Sequence, residues 1–444
     1  MGVSPLTHRV LAPVTGALVA AAAGWQAAAG STGFAIALIA ICGSLVALLN
    51  STVRALAPFT FGVLFILSSS TAFTVSPATS VLFRILGISL MCLCSLLRPS
   101  NVTGAPPDSK RNFAELRLWL PWVVGSLLAF LLLGFAFHGQ AANFIFYGIG
   151  LVMLALAVVA TAVAVPRRIV TIALVLALGI TVVGSLISGL VIPEVAIAGG
   201  RLRGLTSNAN LLGFYAFLLG SLAIVVIRHI GLKMVILALA GVCVVWTSSR
   251  GSALALAILL IFLVMKKLTA TGFLVMTGLL ALGFIVALAL PQSLSVLDGL
   301  LRVTYSRAET FEIAIELFRS SPLIGIGVGN EEVEIASSPM RALATAGVGG
   351  LIAVIVMWVA LLSYSRKAGL LGVGFTLAAV VHSFFEGWLL SPTSPLLIVF
   401  VLVWWVVVRH DTQVTSVHRD RRITPVENST TSGKHTGAWI PSTM

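Results

Sequence analysis

Apolar runs of roughly 20 residues recur from Leu11 to Val408, and a run of that length is what an α-helix needs to cross the ~30 Å hydrocarbon core of a bilayer. Hydrophobic residues make up 59% of the 444 and charged residues only 9%, against about 25% charged in an ordinary globular chain. Such a chain cannot cover itself with polar surface, so lipid is its solvent. The runs are apolar on every face, which excludes the alternation of an outer-membrane barrel, and lipid admits only helices or closed barrels as spanning elements. The expected fold is all-α: a polytopic transmembrane helical bundle of about 12 to 14 spans, each set by the length a helix needs.

The net charge of +13 is scattered singly between apolar runs and forms no stripe, so nucleic acid is not an expected partner. Topology accounts for it better. The expected spans are 11–29, 33–49, 55–75, 80–97, 118–138, 143–165, 169–190, 208–227, 234–248, 251–265, 271–290, 342–364, 370–388 and 395–408. With both termini in the cytoplasm, Arg54, the loop from Arg98 to Arg117, Arg167, Arg168, Arg228 to Lys233, Lys266, Lys267, Arg366 and Lys367 all fall inside, as the positive-inside rule requires. Every lysine is then cytoplasmic, while the outer side carries only arginines: Arg201, Arg203, Arg250, Arg302, Arg307, Arg319 and Arg341. The run after His8 and Arg9 reads as a retained first span in a multi-pass plasma-membrane protein. All four cysteines, Cys42, Cys92, Cys94 and Cys243, sit inside apolar runs, where free Cys serves as a packing residue.

Three regions follow: N-terminal spans over 1–190, a second helical unit over 191–408 that includes the outer loop 291–341, and a disordered cytoplasmic tail over 409–444. The tail is polar and rich in Ser and Thr, the composition of disorder. Within the outer loop, Val303 to Arg319 reads as an amphipathic helix, apolar at Val303, Ala308, Phe311, Ala314, Ile315 and Phe318; such a helix can lie on the membrane over a cavity.

Four outer clusters carry candidate chemistry: Gly199 to Asn210 (GGRLRGLTSNAN), Thr247 to Gly251 (TSSRG), Arg307 to Asn330 (RAETFEIAIELFRSSPLIGIGVGN) and Ala344 to Gly350 (ATAGVGG). An arginine fork binds phosphate bidentately and stays charged when desolvated, so outer arginines beside spans point to an anionic headgroup, with ion pairing to Glu309, Glu312 and Glu316 as the alternative use. Asn208 and Asn210 can bind sugar hydroxyls; alternatively Thr206, Ser207 or Asn208 only caps the helix that follows. The glycines at 325, 327 and 329 follow a helix rather than a strand and lack a G-K-S/T, which excludes a nucleotide loop; a tight turn returning the chain to the membrane suits them. His382 and Glu386 are spaced i, i+4, which in a helix puts both on one face, and ionisable groups inside a span are expensive and often functional. No HExxH, CxxC or paired-Asp pattern occurs in the outer loops, so no metal or other cofactor is expected.

Taken in order, these clusters resemble the O-antigen ligase and polymerase superfamily of bacterial membrane glycosyltransferases. The resemblance covers Arg201 to Leu362 and is most specific at Arg307, Ser321, Pro322, Leu323, Gly325, Gly327, Gly329 and Asn330. It implies transfer of a glycan from a polyprenyl-diphosphate carrier to a glycan or glycolipid acceptor on the outer face of a bacterial inner membrane, as ligase or polymerase. Under that resemblance Arg201, Arg203, Arg250 and Arg307 would hold the diphosphate, and Asn208, Asn210 and Asn330 the sugar. Ligase members carry a histidine about eleven residues before the glycine that aligns with Gly347, where this chain reads Ala336, Ser337, Ser338, Pro339. A substitute general base is then sought in His382 with Glu386, or in Glu194 and Glu309, with Asp298, Glu331, Glu332 and Glu334 as further outer carboxylates. The competing functions are a lipid-linked oligosaccharide transporter or flippase and a catalytically inactive relative.

The lysine and arginine bias predicts that an impermeant thiol reagent applied to intact cells labels Ser295→Cys and spares Ser416→Cys. Labelling of Ser416→Cys, or its failure at Ser295→Cys, would overturn the orientation.

Overall fold

The structure, a computed structural model, describes residues 56–70, 77–96, 107–136, 141–265, 306–331, 335–391 and 394–423. The expected spans 11–29, 33–49 and 271–290 lie outside the described residues, as do His138, Asp298, Arg302, Glu332 and Glu334. What is described is 86% helical with almost no sheet. Among the described residues six apolar helical stretches are long enough to cross a membrane: Asn112–Phe135, Phe144–Val163, Arg167–Val191, Ala209–Val226, Ile230–Thr247 and Ser338–Phe385.

The helices are α1 (Leu56–Ser68), α2 (Pro77–Leu96), α3 (Pro107–Ala136), α4 (Ala141–Ala164), α5 (Arg167–Val191), the single turn α6 (Pro193–Ala196), α7 (Ala209–Val226), α8 (Ile230–Thr247), α9 (Arg250–Met265), α10 (Ser306–Ser320), α11 (Ser338–Ser365), α12 (Gly369–Phe385) and α13 (Pro395–Ile423). Between α6 and α7 the strands β1 (Ile197–Ala198) and β2 (Arg201–Leu202) pair antiparallel. The expected outer amphipathic helix corresponds to α10, which turns Ala314 into the protein and leaves Ile315 exposed. The helix of α13 continues past Asp411 to Ile423, so it takes in the first part of the tail expected to be disordered.

Two elements form the axis of the bundle. α7 is buried from Leu211 to Ile224 and is contacted by α5, α8, α9 and α13. The first half of α13 is buried from Leu396 to Val408. Both are apolar all round, the composition of a helix with protein on every side. The outer helices instead present large apolar side chains to their surroundings, among them Ile145, Ile149, Val152, Leu156, Leu190, Val235 and Ile352, which suits a lipid environment where no apolar surface need be hidden.

One backbone feature shapes the end of the bundle where the candidate site lies. α11 is broken at Gly347, whose φ of 62° and ψ of −157° are not helical, in a region of backbone space that is essentially glycine-only. The break frees carbonyls that would otherwise be orphaned in a buried setting, and the glycine-rich segment after α10 supplies their partners. Ile326 N donates to Ala344 O at 2.9 Å and Gly327 N to Thr345 O at 3.0 Å, while Val348 N donates back to Pro322 O at 2.9 Å. The two backbones approach so closely that a Cβ on Gly325 would stand 2.3 Å from the Thr345 carbonyl carbon, and one on Gly347 would stand 2.5 Å from that of Leu323. The glycines at 325 to 329 therefore do more than turn the chain back to the membrane, because they clasp the broken helix.

Gly347→Ala should lower the melting temperature of the detergent-solubilised protein sharply, since backbone strain of about 1–3 kcal/mol adds to a clash with Leu323. Gly148→Ala is the control, because nothing lies within 4 Å of an added Cβ there. Equal melting of the two variants would show that the clasp contributes nothing.

Candidate functional site

The first sequence cluster folds as a tight hairpin. Gly199 and Gly200, with φ of 57° and 74°, make the two-residue turn between β1 and β2, a turn that needs positive φ at both positions. β2 thereby presents Arg201, whose Nε donates to Thr247 O at 2.9 Å, tying the hairpin to the second cluster at the end of α8. The other end of the guanidinium, Nη2, donates to Asn210 Oδ1. Asn210 Nδ2 in turn donates to Glu386 Oε1 at 2.6 Å. A guanidinium only donates and a carboxylate only accepts, so these two partners fix which way the Asn210 amide faces. The backbone of Glu386 is also held: its carbonyl accepts from Ser338 Oγ at 2.6 Å, at the start of α11.

Beside this chain of contacts opens a cavity of about 920 Å³. Its polar wall comprises Ser70, Ser80, Arg84, Tyr147, Ser207, Asn208, Glu331, Arg341, Glu386, Ser391 and Ser394. Arg84, from α2, donates from Nη2 to Ser80 Oγ at 3.0 Å and from Nε to Ser69 Oγ at 3.2 Å, so those hydrogen bonds leave its charge unneutralised. Arg341 is paired with Glu331 at 2.8 Å, and its Nη2 lies 3.4 Å from the Tyr147 hydroxyl. Next to the polar cavity, between α2 and α4, lies an apolar groove of about 160 Å³ lined by Ile85, Ile88, Ile149, Gly150, Met153 and Ile398 together with Val81, Arg84 and Phe146. The last three line both spaces, so Arg84 stands where the polar space meets the apolar one.

The floor is aromatic. Trp388 lines the cavity, and Phe214 packs against it, with ring centroids 5.1 Å apart, and against His382 at 4.1 Å. His382 is fully buried. Trp388 Nε1 lies 3.1 Å from His382 Nδ1, and Ser252 Oγ lies 3.3 Å from His382 Nε2. An indole N–H can only donate, so Nδ1 is the acceptor and the proton of the neutral ring sits on Nε2, facing Ser252.

The structure thus brings together Arg201, Asn208, Asn210 and Glu386 from the sequence candidates. Asn208 also caps α7, its side chain accepting from Asn210 N at 2.8 Å. The shared helical face expected for His382 and Glu386 does not form, because α12 ends at Phe385 and Glu386 has the extended backbone of φ −145° and ψ 139°. Arg203 donates to Val195 O at 2.9 Å and braces the hairpin. Arg250 is exposed as the first residue of α9 and is not among the residues lining the cavity. Glu194 is exposed on α6, Arg307 and Glu309 lie in the first turn of α10, and Asn330 Nδ2 donates to Ile326 O at 2.8 Å within its own turn. Among the described residues no three His, Cys, Asp or Glu side chains gather so as to hold a metal ion.

Arg84, Tyr147 and the cavity position of Arg341 were not singled out from the sequence. The signal for Arg84 was present: it is a lone charge in the run from Val81 to Leu93, and a charge inside an apolar span is a functional candidate by default. No protein-family model and no curated protein matches this chain.

His382→Leu should lower the melting temperature, since it orphans the buried Trp388 indole, at about 1–3 kcal/mol for a buried polar group left unsatisfied, while Ser252 keeps its hydrogen bond with Ser249 Oγ at 2.9 Å. An unchanged melting temperature would show that the Trp388 hydrogen bond adds no stability.

Proposed function

We propose that this protein is a membrane glycosyltransferase that moves a glycan from a polyprenyl-diphosphate carrier to a glycan or glycolipid acceptor at the outer face of a bacterial plasma membrane, acting as ligase or polymerase. The observation that carries this is the junction at Arg84. A polar cavity bearing Arg84, Arg341 and Glu386 adjoins an apolar groove through Val81, Arg84 and Phe146. A ligand matched to both spaces has an anionic, hydroxyl-rich head and a hydrocarbon tail, and a lipid-diphosphate-linked sugar is such a molecule. The diphosphate takes up charge as the glycosidic bond breaks. Fixed guanidiniums stabilise that charge without reorganising, and arginine keeps its proton in a partly desolvated site.

Within this function Arg84 and Arg341 contact the diphosphate, and Arg201 acts one shell further out through Asn210. Ser207, Asn208 and Ser391 on the cavity wall are placed for sugar hydroxyls. The aromatic floor of Trp388 over Phe214 suits the apolar face of a pyranose ring. The hairpin reaches this wall through the hydrogen bonds from Arg201 to Asn210 and from Asn210 to Glu386, and α11 through Ser338 and Arg341.

Farnesyl diphosphate, a short polyprenyl diphosphate, should raise the melting temperature of the purified wild-type protein, and farnesol should not. Arg84→Gln should abolish that rise while leaving the melting temperature of the free protein nearly unchanged, because Arg84 bonds only two hydroxyls. An equal rise in Arg84→Gln would remove Arg84 from the site. No rise in the wild type would count against a diphosphate ligand. In cells, deleting the gene should strip a surface glycan and leave its lipid-linked precursor on the outer leaflet, whereas a flippase would leave it on the inner one.

A further inference from the structure

We propose that Tyr147 is a binding residue for the diphosphate of the donor, its phenol hydrogen closing on the anionic head from α4 while Arg84 holds it from α2. The assignment rests on the glycosyl-transfer function given above and deepens it, from which charges hold the head to how the head is gripped where its hydrocarbon chain ends.

The apolar groove lies between α2 and α4, which pack on each other. Where the groove meets the polar cavity, α2 supplies Val81 and Arg84 and α4 supplies Phe146. The next residue, Tyr147, is half-buried and lines the polar cavity. Consecutive residues of an α-helix point about 100° apart, so α4 sets one ring where hydrocarbon passes and the following phenol where the head lies. The two rings pack edge to face with centroids 5.9 Å apart, a contact that restrains the direction of the phenol before a ligand arrives. A chain lying in the groove therefore brings its first polar group between Arg84 and Tyr147. In a polyprenyl diphosphate that group is a phosphoryl.

The hydrogen-bond inventory points the same way. A phenol has one hydrogen to donate and lone pairs that accept, whereas a guanidinium only donates. In the 3.4 Å contact between Arg341 Nη2 and the Tyr147 hydroxyl, the phenol is thus the acceptor, and its own hydrogen cannot point at Arg341. That hydrogen needs an acceptor elsewhere around the cavity, and a phosphoryl oxygen is one, forming a short charge-assisted bond. Arg341 does not depend on the phenol for its position, because Glu331 holds it at 2.8 Å. A sugar hydroxyl accepts the same hydrogen, but sugar lies beyond the diphosphate as seen from the groove. Farnesyl diphosphate, which carries no sugar, separates the two uses.

The test is a titration of purified protein with farnesyl diphosphate, followed by melting temperature. Tyr147→Phe should bind it about 10–10²-fold more weakly than wild type, the worth of one hydrogen bond to a charged group, and should melt like wild type when no ligand is present. Inorganic diphosphate, with no chain to fill the groove, should shift wild-type melting far less than farnesyl diphosphate does. Undiminished affinity in Tyr147→Phe would overturn the assignment and leave the glycosyl-transfer function standing. A collapsed ligand-free melting temperature in that variant would make the hydroxyl an anchor of the fold and overturn the assignment too. Equal shifts by inorganic and farnesyl diphosphate would detach the head from the groove and overturn the grip at its mouth. Wild-type protein that does not respond to farnesyl diphosphate would instead count against the function itself, and Tyr147 would fall with it.

Discussion

A charge placed among apolar helices must be paired, hydrogen-bonded or given access to water, and the architecture at one end of this bundle answers that requirement for a small set of side chains. Arg84, Arg201, Arg341, Glu331 and Glu386 are all partly buried. Each is anchored by a hydroxyl, an amide, a carbonyl or an opposite charge. The anchors come from loops and helix ends that are far apart in sequence. The cavity is where these solutions meet, and its polarity follows from the need to satisfy charge in a structure otherwise built of apolar side chains.

The backbone answers to the same constraint. Breaking α11 at Gly347 would leave amide and carbonyl groups without partners in a water-poor setting, and the segment from Pro322 to Gly327 satisfies them strand-like without being a strand. The clasp leaves Ser338 to Ala346 as a separate piece of helix, which carries Arg341 into the cavity wall and Ser338 onto the carbonyl of Glu386. The glycine positions and the placement of charge are thus two sides of one arrangement. A side chain at Gly325 or Gly347 would displace the arginine by displacing the helix it stands on.

Much of this was legible in the chain. Runs of apolar residues specify spanning helices because lipid leaves no other option, and α5, α7, α8 and α12 lie close to the expected spans. The Asn208 cap is one of the uses the sequence offers for that residue, and Arg201, Asn210 and Glu386, all candidates from the sequence, are joined by hydrogen bonds; the hairpin that presents Arg201 was not read from the sequence. The rest depended on tertiary placement. The i, i+4 rule joined Glu386 to His382, but the helix ends one residue before Glu386, and no signal short of the fold shows that its partner is Asn210. Arg341 read as an outer arginine like the others, since nothing in its neighbours reveals that a helix break two turns later aims it into a cavity. Arg84 carries the signal of a lone charge in an apolar run, but no motif around it names a partner, and only the fold sets it beside both a polar cavity and an apolar groove. Conversely Arg203 and Asn330, equally prominent in the motifs, brace the backbone of their own turns.

The central claim is that the polar cavity and the adjoining groove hold one amphiphile, an anionic head at Arg84 with its hydrocarbon chain between α2 and α4. Native mass spectrometry of the protein released from gentle detergent tests this most directly, because it weighs whatever lipid remains bound. The account predicts an adduct with the mass of a polyprenyl diphosphate, alone or carrying sugar, present on wild-type protein and lost from Arg84→Gln. Adducts of bulk phospholipid only, or a polyprenyl diphosphate retained equally by Arg84→Gln, would contradict it.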